Sequence, residues 1–442
     1  MHQLLLPAMP GLDGERLAFV FDHNKCIICG ACVDACRKAY SWPEGVRWRK
    51  LPVFQLADLT TALSMSCNHC DNPTCMLACP AQAYTKDPET GVVWIDQNKC
   101  IGCGYCTWAC PYDVPQEEPN GTVSKCHFCR ERVEGGKGIP YCVEACPTGA
   151  LAFGWTKGGS SPDYLAPPDI TRPNLVVIPP REGKVQASPI KVKSEKNYWE
   201  LVAFTLLSEV GLLYSLASLF LKLHFAPLIL LLTFAAGLLP SVVHARMTNR
   251  FHRVFLNLKS SWLSREVGSG GLTILLALIS LVIPTLFPVA VIFAAVSVAS
   301  SIMVYMLRAR PSWYDADTPI SFIGTGVTTV LPVAAFLSGS RLLLPLAAVV
   351  LAAELYSFYN RRRKLTLYVK LGNYRLLSAL AMVVDLLSIL FLPLAIAGSL
   401  ISLASEVLHR LNFFKFVTYY GLPNDTQPSV RSKQETQSIS KV

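Results

Sequence analysis

All sixteen cysteines of the 442-residue chain lie between Cys26 and Cys146. They form four groups. The first is Cys26, Cys29, Cys32 and Cys36, spaced x2, x2, x3. The second is Cys67, Cys70, Cys75 and Cys79, spaced x2, x4, x3 and followed by Pro80. The third is Cys100, Cys103, Cys106 and Cys110, spaced x2, x2, x3 and followed by Pro111. The fourth is Cys126, Cys129, Cys142 and Cys146, with a long middle gap before its last pair and then Pro147. A C-x-x-C spacing brings two thiolates close enough to share a metal, and its repetition favours metal over disulfides. Structural zinc uses two such pairs separated by a dozen or more residues, which only the fourth group resembles. Three cysteines at x2, x2 wrap one iron–sulfur cube, and a fourth just before proline points to a neighbouring cube, as in two-cluster ferredoxins. Sixteen cysteines at four per cube predict four [4Fe–4S] clusters in two ferredoxin-like pairs. Spacing alone leaves open which groups pair. His69 and His127 stand between ligands and are expected to hydrogen-bond nearby or tune a cluster, not to bind iron. Clusters with every iron ligated by cysteine offer no open iron, so this part of the chain is expected to carry electrons and perform no bond chemistry.

A second set of reactive residues lies in SVVHARMTNRFHRVFLNLKSSWLSREVGSGG, residues 241–271. His244 precedes Glu266, with Arg250 and Arg253 between them. Ionisable groups at membrane depth are costly unless they are paired or face water, so they mark candidate sites. A histidine and a carboxylate suit quinol oxidation, which releases two electrons and two protons. The structural alternative is an interfacial His244 with Glu266 paired to Arg265 or Arg253. Glu209, Glu354 and Asp385 also fall within apolar segments. Asp385 is expected to bond a facing helix, while Glu406 and His409 are expected to line the same cavity as His244.

The elements that carry these residues differ sharply. Hydrophobic residues make up 52% of the chain and charged ones only 16%, more apolar than an ordinary globular protein. The excess begins near Tyr198. Apolar segments long enough to span a bilayer run at about 199–221, 225–243, 268–285, 287–307, 318–338, 342–359, 375–391 and 393–412. Eight spans put both termini on one side. Loops on that side hold thirteen Lys and Arg and the opposite loops two, Lys222 and Arg341, which predicts a cytoplasmic cluster domain in the cell inner membrane. The net charge of +10 is therefore membrane topology, and no motif accompanies it that would suggest nucleic acid. The first residues show no basic leader, long apolar run or twin arginine, so no export is expected. The predicted fold is an α+β ferredoxin-like domain (1–156), an extended linker (157–196) rich in Pro, Gly, Ser and Lys, an all-α eight-helix transmembrane bundle (197–416), and a disordered tail (417–442).

SMSCNHCDNPTCMLACP, NKCIGCGYCTWACPYDVPQ and SKCHFCRERVEGGKGIPYCVEACPTGAL resemble the electron-transfer subunit of the dimethyl sulfoxide reductase family of molybdopterin oxidoreductases, over about residues 18 to 182. SVVHARMTNRFHRV, SWLSREVGSGG, RPSWYDADTP and LASEVLHR are similar to the eight-helix membrane anchor of the same enzymes, usually a separate polypeptide. The resemblance implies a pairing: one cluster on Cys26, Cys29, Cys32 and Cys146, and its neighbour on Cys126, Cys129, Cys142 and Cys36. The other pair would use Cys67, Cys70, Cys75 and Cys110, and Cys100, Cys103, Cys106 and Cys79. It also implies a quinol site at His244 and Glu266 with Arg250 nearby, menaquinol or a similar quinol as donor, and a large molybdopterin catalytic subunit as partner. Trp313 and Tyr314 read as an aromatic belt. The segment Arg37–Ser66 is shorter than is usual in the family.

Three functions fit this sequence. Quinol electrons could pass to a partner that reduces an S-oxide, N-oxide or sulfur compound. The same parts could run in reverse, from a sulfite, formate or hydrogen-oxidising partner to quinone. The chain could also dock partners without quinone chemistry.

Overall fold

The computed structural model describes residues 14–56, 59–159, 162–181, 190–195, 198–221, 223–365 and 375–422. The chain divides into two compact units, residues 1–191 with 420–442 and residues 192–419.

The first unit is organised on strand β1 (Arg16–Asp22), whose alternation turns Leu17, Phe19 and Phe21 inward. Further strands are β2 (Val53–Leu56), β3 (Leu59–Ala62), β4 (Tyr84–Lys86), β5 (Val93–Ile95), β6 (Gln116–Glu117), β7 (Val123–Ser124), β8 (Leu151–Thr156) and β9 (Leu175–Ile178). β1 lies between β8, antiparallel with Phe19 opposite Phe153, and β9, parallel with Phe19 opposite Leu175. β2–β3, β4–β5 and β6–β7 are small antiparallel hairpins. Phe128 meets Phe19 edge-on at 4.7 Å between ring centres and Phe153 at 5.0 Å, closing an aromatic core under the sheet.

Five short helices lie within the cysteine motifs: α1 (Ala31–Tyr40), α2 (Thr74–Ala78), α3 (Tyr105–Ala109), α4 (Arg130–Glu134) and α5 (Tyr141–Glu144). α1 packs on α5, and α2 on α3. The first cysteine group is thereby joined to the fourth and the second to the third. Gly30 and Gly104 enter α1 and α3 at φ +78° and +71°, so the chain turns between the second and third cysteine of a C-x-x-C-x-x-C run at a backbone angle that suits glycine.

Within the expected extended linker (157–196), residues 162–178 are folded instead. Tyr164, Leu165, Ala166 and Ile170 are buried in the first unit's core, and β9 completes its sheet. Apolar residues scattered among prolines have enough buried area to fix a segment that composition alone reads as loose. Past the last helix, Phe416–Tyr420 is a short strand, and the remainder of the expected tail from residue 423 lies outside the described residues.

The second unit consists of α6 (Trp199–Leu221), α7 (Ala226–Ser241), α8 (Trp262–Ser280), α9 (Phe287–Tyr305), α10 (Asp317–Ser338), α11 (Leu343–Leu365), α12 (Leu376–Leu387) and α13 (Leu394–Lys415). Among the described residues seven helices are long and apolar enough to cross a membrane. The expected span 375–391 is instead the 12-residue α12, about 18 Å long against a hydrocarbon core of about 30 Å. Pro288 sits in the first turn of α9, where its missing N–H costs no bond, and a 3₁₀ turn, Pro284–Leu286, joins α8 to α9.

Consecutive helices pair as α6–α7, α8–α9, α10–α11 and α12–α13. Small residues allow close approach: a Cβ on Gly237 would lie 3.0 Å from Phe204 Cα, and one on Gly326 2.9 Å from the Glu209 carbonyl. Large apolar side chains such as Leu232, Leu278, Ile292 and Leu346 point outward, as a lipid-facing surface requires. Trp313 is no belt residue. It is fully buried, stacks on Phe413, and donates its ring N–H to the Phe413 carbonyl at 3.0 Å; Tyr314 is the exposed one of the pair.

Candidate functional site

The short helices and hairpins of the first unit gather the cysteines across motifs. Cys67, Cys70 and Cys75 surround one cavity together with Cys110, which comes from the next motif. The cavity holds about 380 Å³ of space, part of it open to solvent. A second, of about 330 Å³, is lined by Cys26, Cys29, Cys32 and, from 114 positions beyond Cys32, Cys146. The thiol of Cys36 lies within electrostatic range of Cys126, Cys129 and Cys142, and that of Cys106 within range of Cys79, Cys100 and Cys103. Each motif thus sends three thiols to one cage and one to its neighbour. Among the described residues no group of three His, Cys, Asp or Glu side chains is arranged to hold a single metal ion.

These cages fit an iron–sulfur cube in donor chemistry. Burial pushes the Cys110 thiol up to about 11 and the Cys142 thiol up to about 12, and neighbouring thiols push in the same direction. A metal centre reverses that preference, because its positive charge favours the bound thiolate. Hydrogen-bond donors already point at sulfur. Backbone N–H groups of Ala83, Gly102 and Leu151 reach Cys79, Cys100 and Cys146 at 3.4 Å, and the Ser64 hydroxyl reaches Cys32 at 3.3 Å. Such bonds tune cluster potentials.

Two basic side chains were not singled out by sequence. The Lys125 ammonium donates to Cys67 Sγ at 3.3 Å, to the Cys126 carbonyl at 3.1 Å and to the Val93 carbonyl. Arg49 is fully buried, bonds Ser64 and Ser66, and lies 4.3 Å over the Phe19 ring. A lone Lys or Arg among cysteine motifs carries no sequence signal, since its burial is decided by the fold.

His69 and His127 act as hydrogen-bond acceptors. His69 Nδ1 accepts the Val93 N–H at 2.9 Å, and His127 Nδ1 the Arg130 N–H at 3.2 Å. Burial lowers the pKa of both, which favours the neutral rings that such bonds need.

In the second unit, His244 ends the 3₁₀ turn after α7, Arg250 lies half-buried in the 3₁₀ segment Thr248–Phe255, and Glu266 is buried in the first turns of α8. Neither His244 nor Arg250 is hydrogen-bonded to Glu266. His244 Nδ1 instead meets Glu200 Oε1 at 3.0 Å, with the Tyr198 ring edge-on at 5.3 Å. Glu200 is the residue sequence reading missed, hidden as an ordinary acid at a helix start. Glu266 does not pair with Arg265, which bonds the carbonyls of Leu258 and Lys259. One Glu266 carboxylate oxygen is buried without a hydrogen-bond partner.

Glu406 and His409 do not join His244. Arg375 bridges Glu406 and Glu354, Thr325 donates to Glu406 at 3.0 Å, and Arg410 Nη2 reaches both oxygens of Glu209 at 3.1 and 3.0 Å. His409 lies 3.7 Å from Asp317. Asp385 does not bond a facing helix: both its oxygens are buried without a hydrogen-bond partner, packed against Gly398 of α13.

Comparison with known proteins adds family evidence. The family model described as a 4Fe-4S dicluster domain matches residues 60–156. The chain is 42% identical to Protein NrfC of Escherichia coli strain K12 over 150 residues, 32% of this chain and 67% of that protein. It is 37% identical over 192 residues to one of the chains of the anaerobic dimethyl sulfoxide reductase of Haemophilus influenzae, 39% of this chain and 93% of the relative. It is 31% identical over 219 residues to one of the subunits of the sulfite dehydrogenase of Allochromatium vinosum, 42% of this chain and 91% of the relative.

Proposed function

We propose, from the premise that this protein belongs to the iron–sulfur electron-transfer subunits of the molybdopterin oxidoreductases related to dimethyl sulfoxide reductase, that it is both wire and membrane anchor of a quinol-linked enzyme. It takes electrons from menaquinol or a similar quinol in the inner membrane. A separate, large molybdopterin subunit receives them and reduces an S-oxide, N-oxide or sulfur compound. The observation that carries this reading is one polypeptide holding four cysteine groups, with two cavities lined by thiols from different groups, and a bundle of membrane-length helices with buried acids.

The sixteen cysteines hold four [4Fe–4S] clusters, which when bound supply one-electron transfer between quinol and catalytic partner. The rest falls to the protein's own side chains. Oxidising a quinol to a quinone removes two electrons and two protons. His244, oriented by Glu200, takes one proton, and Glu266, with an unoccupied carboxylate oxygen, takes the other. Arg250, six residues beyond His244, orients a quinol oxygen. The charge of the loops favours a cytoplasmic cluster domain.

The test is quinol oxidation by the purified complex. His244→Ala and Glu266→Gln should each lower turnover by about a hundredfold or more, the range for a lost general base. Unchanged turnover in both defeats the quinol site and leaves a docking role. Metal analysis should find molybdenum or tungsten in the partner and about sixteen irons on this chain; nickel would move it to a hydrogenase. Likeness to a sulfite dehydrogenase supports the reverse direction as second reading, which quinone reduction by the complex would reveal.

A further inference from the structure

Lys125 and Arg49 are the buried Lys and Arg of the first unit among its described residues, and neither is ion-paired to a carboxylate. An isolated buried cation is strongly destabilising unless something of opposite sign answers it. Their surroundings say what does. Lys125 lines the Cys67, Cys70, Cys75 and Cys110 cavity and bonds Cys67 Sγ. Its third bond, to the Cys126 carbonyl, places it against the neighbouring cage. Arg49 lies within electrostatic range of Cys126, Cys142 and Cys36 of that same cage, and of Cys32 of the next. Ser64, which holds the guanidinium at 2.8 Å, also donates to Cys32 Sγ.

The cages therefore follow one another in space, with a fixed charge at two of three junctions. Arg49 stands between the Cys26 quartet and the Cys126 quartet, and Lys125 between the Cys126 quartet and the Cys67 quartet. At the third junction, towards the Cys100 quartet, stands a neutral group: the buried Tyr84, within electrostatic range of Cys106, Cys75 and Cys79.

We propose that Arg49 and Lys125 are built-in counter-charges that set the order of cluster potentials along the row. A reduced cluster carries one more negative charge than an oxidised one, so a fixed cation beside it stabilises the reduced form and raises its potential. The Cys126 quartet, flanked by both cations, takes the largest upward bias. The Cys100 quartet, with a tyrosine at its junction, takes the least. Arg49 and Lys125 are positioning residues, since they act through the clusters and bind no substrate. The inference rests on the reading of the cysteines as cluster ligands.

The experiment is an EPR-monitored redox titration of the purified complex, with iron counted in each sample. Lys125→Met should lower the midpoint potentials of two clusters, and Arg49→Met of two, with one cluster common to both variants and a fourth untouched by either. Lys125→Arg should stay near the wild-type midpoints. Full iron with all midpoints unmoved in both Met variants overturns the inference, as does Lys125→Arg matching Lys125→Met. If a Met variant loses iron, the charge-keeping Lys125→Arg and Arg49→Lys must retain both iron and midpoints; iron loss in these as well overturns it. A wild-type protein without iron would instead defeat the cluster reading.

Discussion

At the scale of single residues, a cysteine's neighbours in sequence and in space are different residues. Cys146 lies four positions from Cys142 in sequence, yet lines the cavity of Cys26, Cys29 and Cys32. Cys146→Ser should therefore perturb the cluster of that quartet and leave the Cys126 quartet's signal in place. Spin counting of the reduced protein checks this; loss of the Cys126 signal alone would reverse the pairing. Glu200 makes the second residue-scale case. Its carboxylate orients the His244 ring, so Glu200→Gln should lower quinol turnover by about tenfold, near 1.4 kcal/mol in the barrier. Glu200→Asp should recover part of that, as steady-state rates with a soluble quinol analogue would show.

At the scale of elements, buried ion pairs tie α6 to α13, and α11 and α13 to Arg375 at the start of α12, while Thr325 of α10 bonds Glu406. Glu209 and Arg410 are essentially unexposed, with Nη2 of Arg410 shared between both carboxylate oxygens, and Arg410 also lies 3.7 Å over the Phe322 ring. Removing one partner of such a pair leaves a buried charge and costs about 3–5 kcal/mol. Arg410→Met should accordingly lower the thermal transition in detergent far more than the double change Arg410→Met with Glu209→Gln, and a comparison of melting curves decides it. Between α12 and α13, a Cβ on Gly398 would stand 1.9 Å from Asp385 Oδ1. Gly398→Ala should destabilise the bundle, and adding Asp385→Ala should restore much of the loss. Equal loss in single and double variants would mean that the glycine serves something other than the carboxylate.

At the scale of the whole molecule, the two units owe their stability to different things. The second unit's helices satisfy their own backbone hydrogen bonds and turn large apolar side chains outward, as a bilayer would require. The first unit surrounds cavities with buried thiols and two cations that no carboxylate answers, so much of its stability depends on what the cages hold. Growth without iron should yield protein whose near-ultraviolet circular dichroism is weakened while its helical far-ultraviolet signal persists. A parallel loss of both would show that the units fold together.

The sequence by itself determined which residues are chemically capable and the broad class of each half. Cysteine spacing is local chemistry, and a run of about twenty apolar residues has few places to go but a bilayer. The same locality explains the misreadings. Residues 162–178 carry a loop's composition, but Tyr164 and Ile170 find a core that no window of sequence contains. The span at 375–391 has the hydropathy of a crossing, whereas the helix within it stops at Leu387. Only the tertiary structure brings Cys146 beside Cys26 and Cys110 beside Cys67, sets His244 against Glu200, leaves Asp385 unbonded against a glycine, and buries Arg49 and Lys125. Each of these is a contact between residues far apart in the chain, and its energy exists only once folding has removed the intervening water.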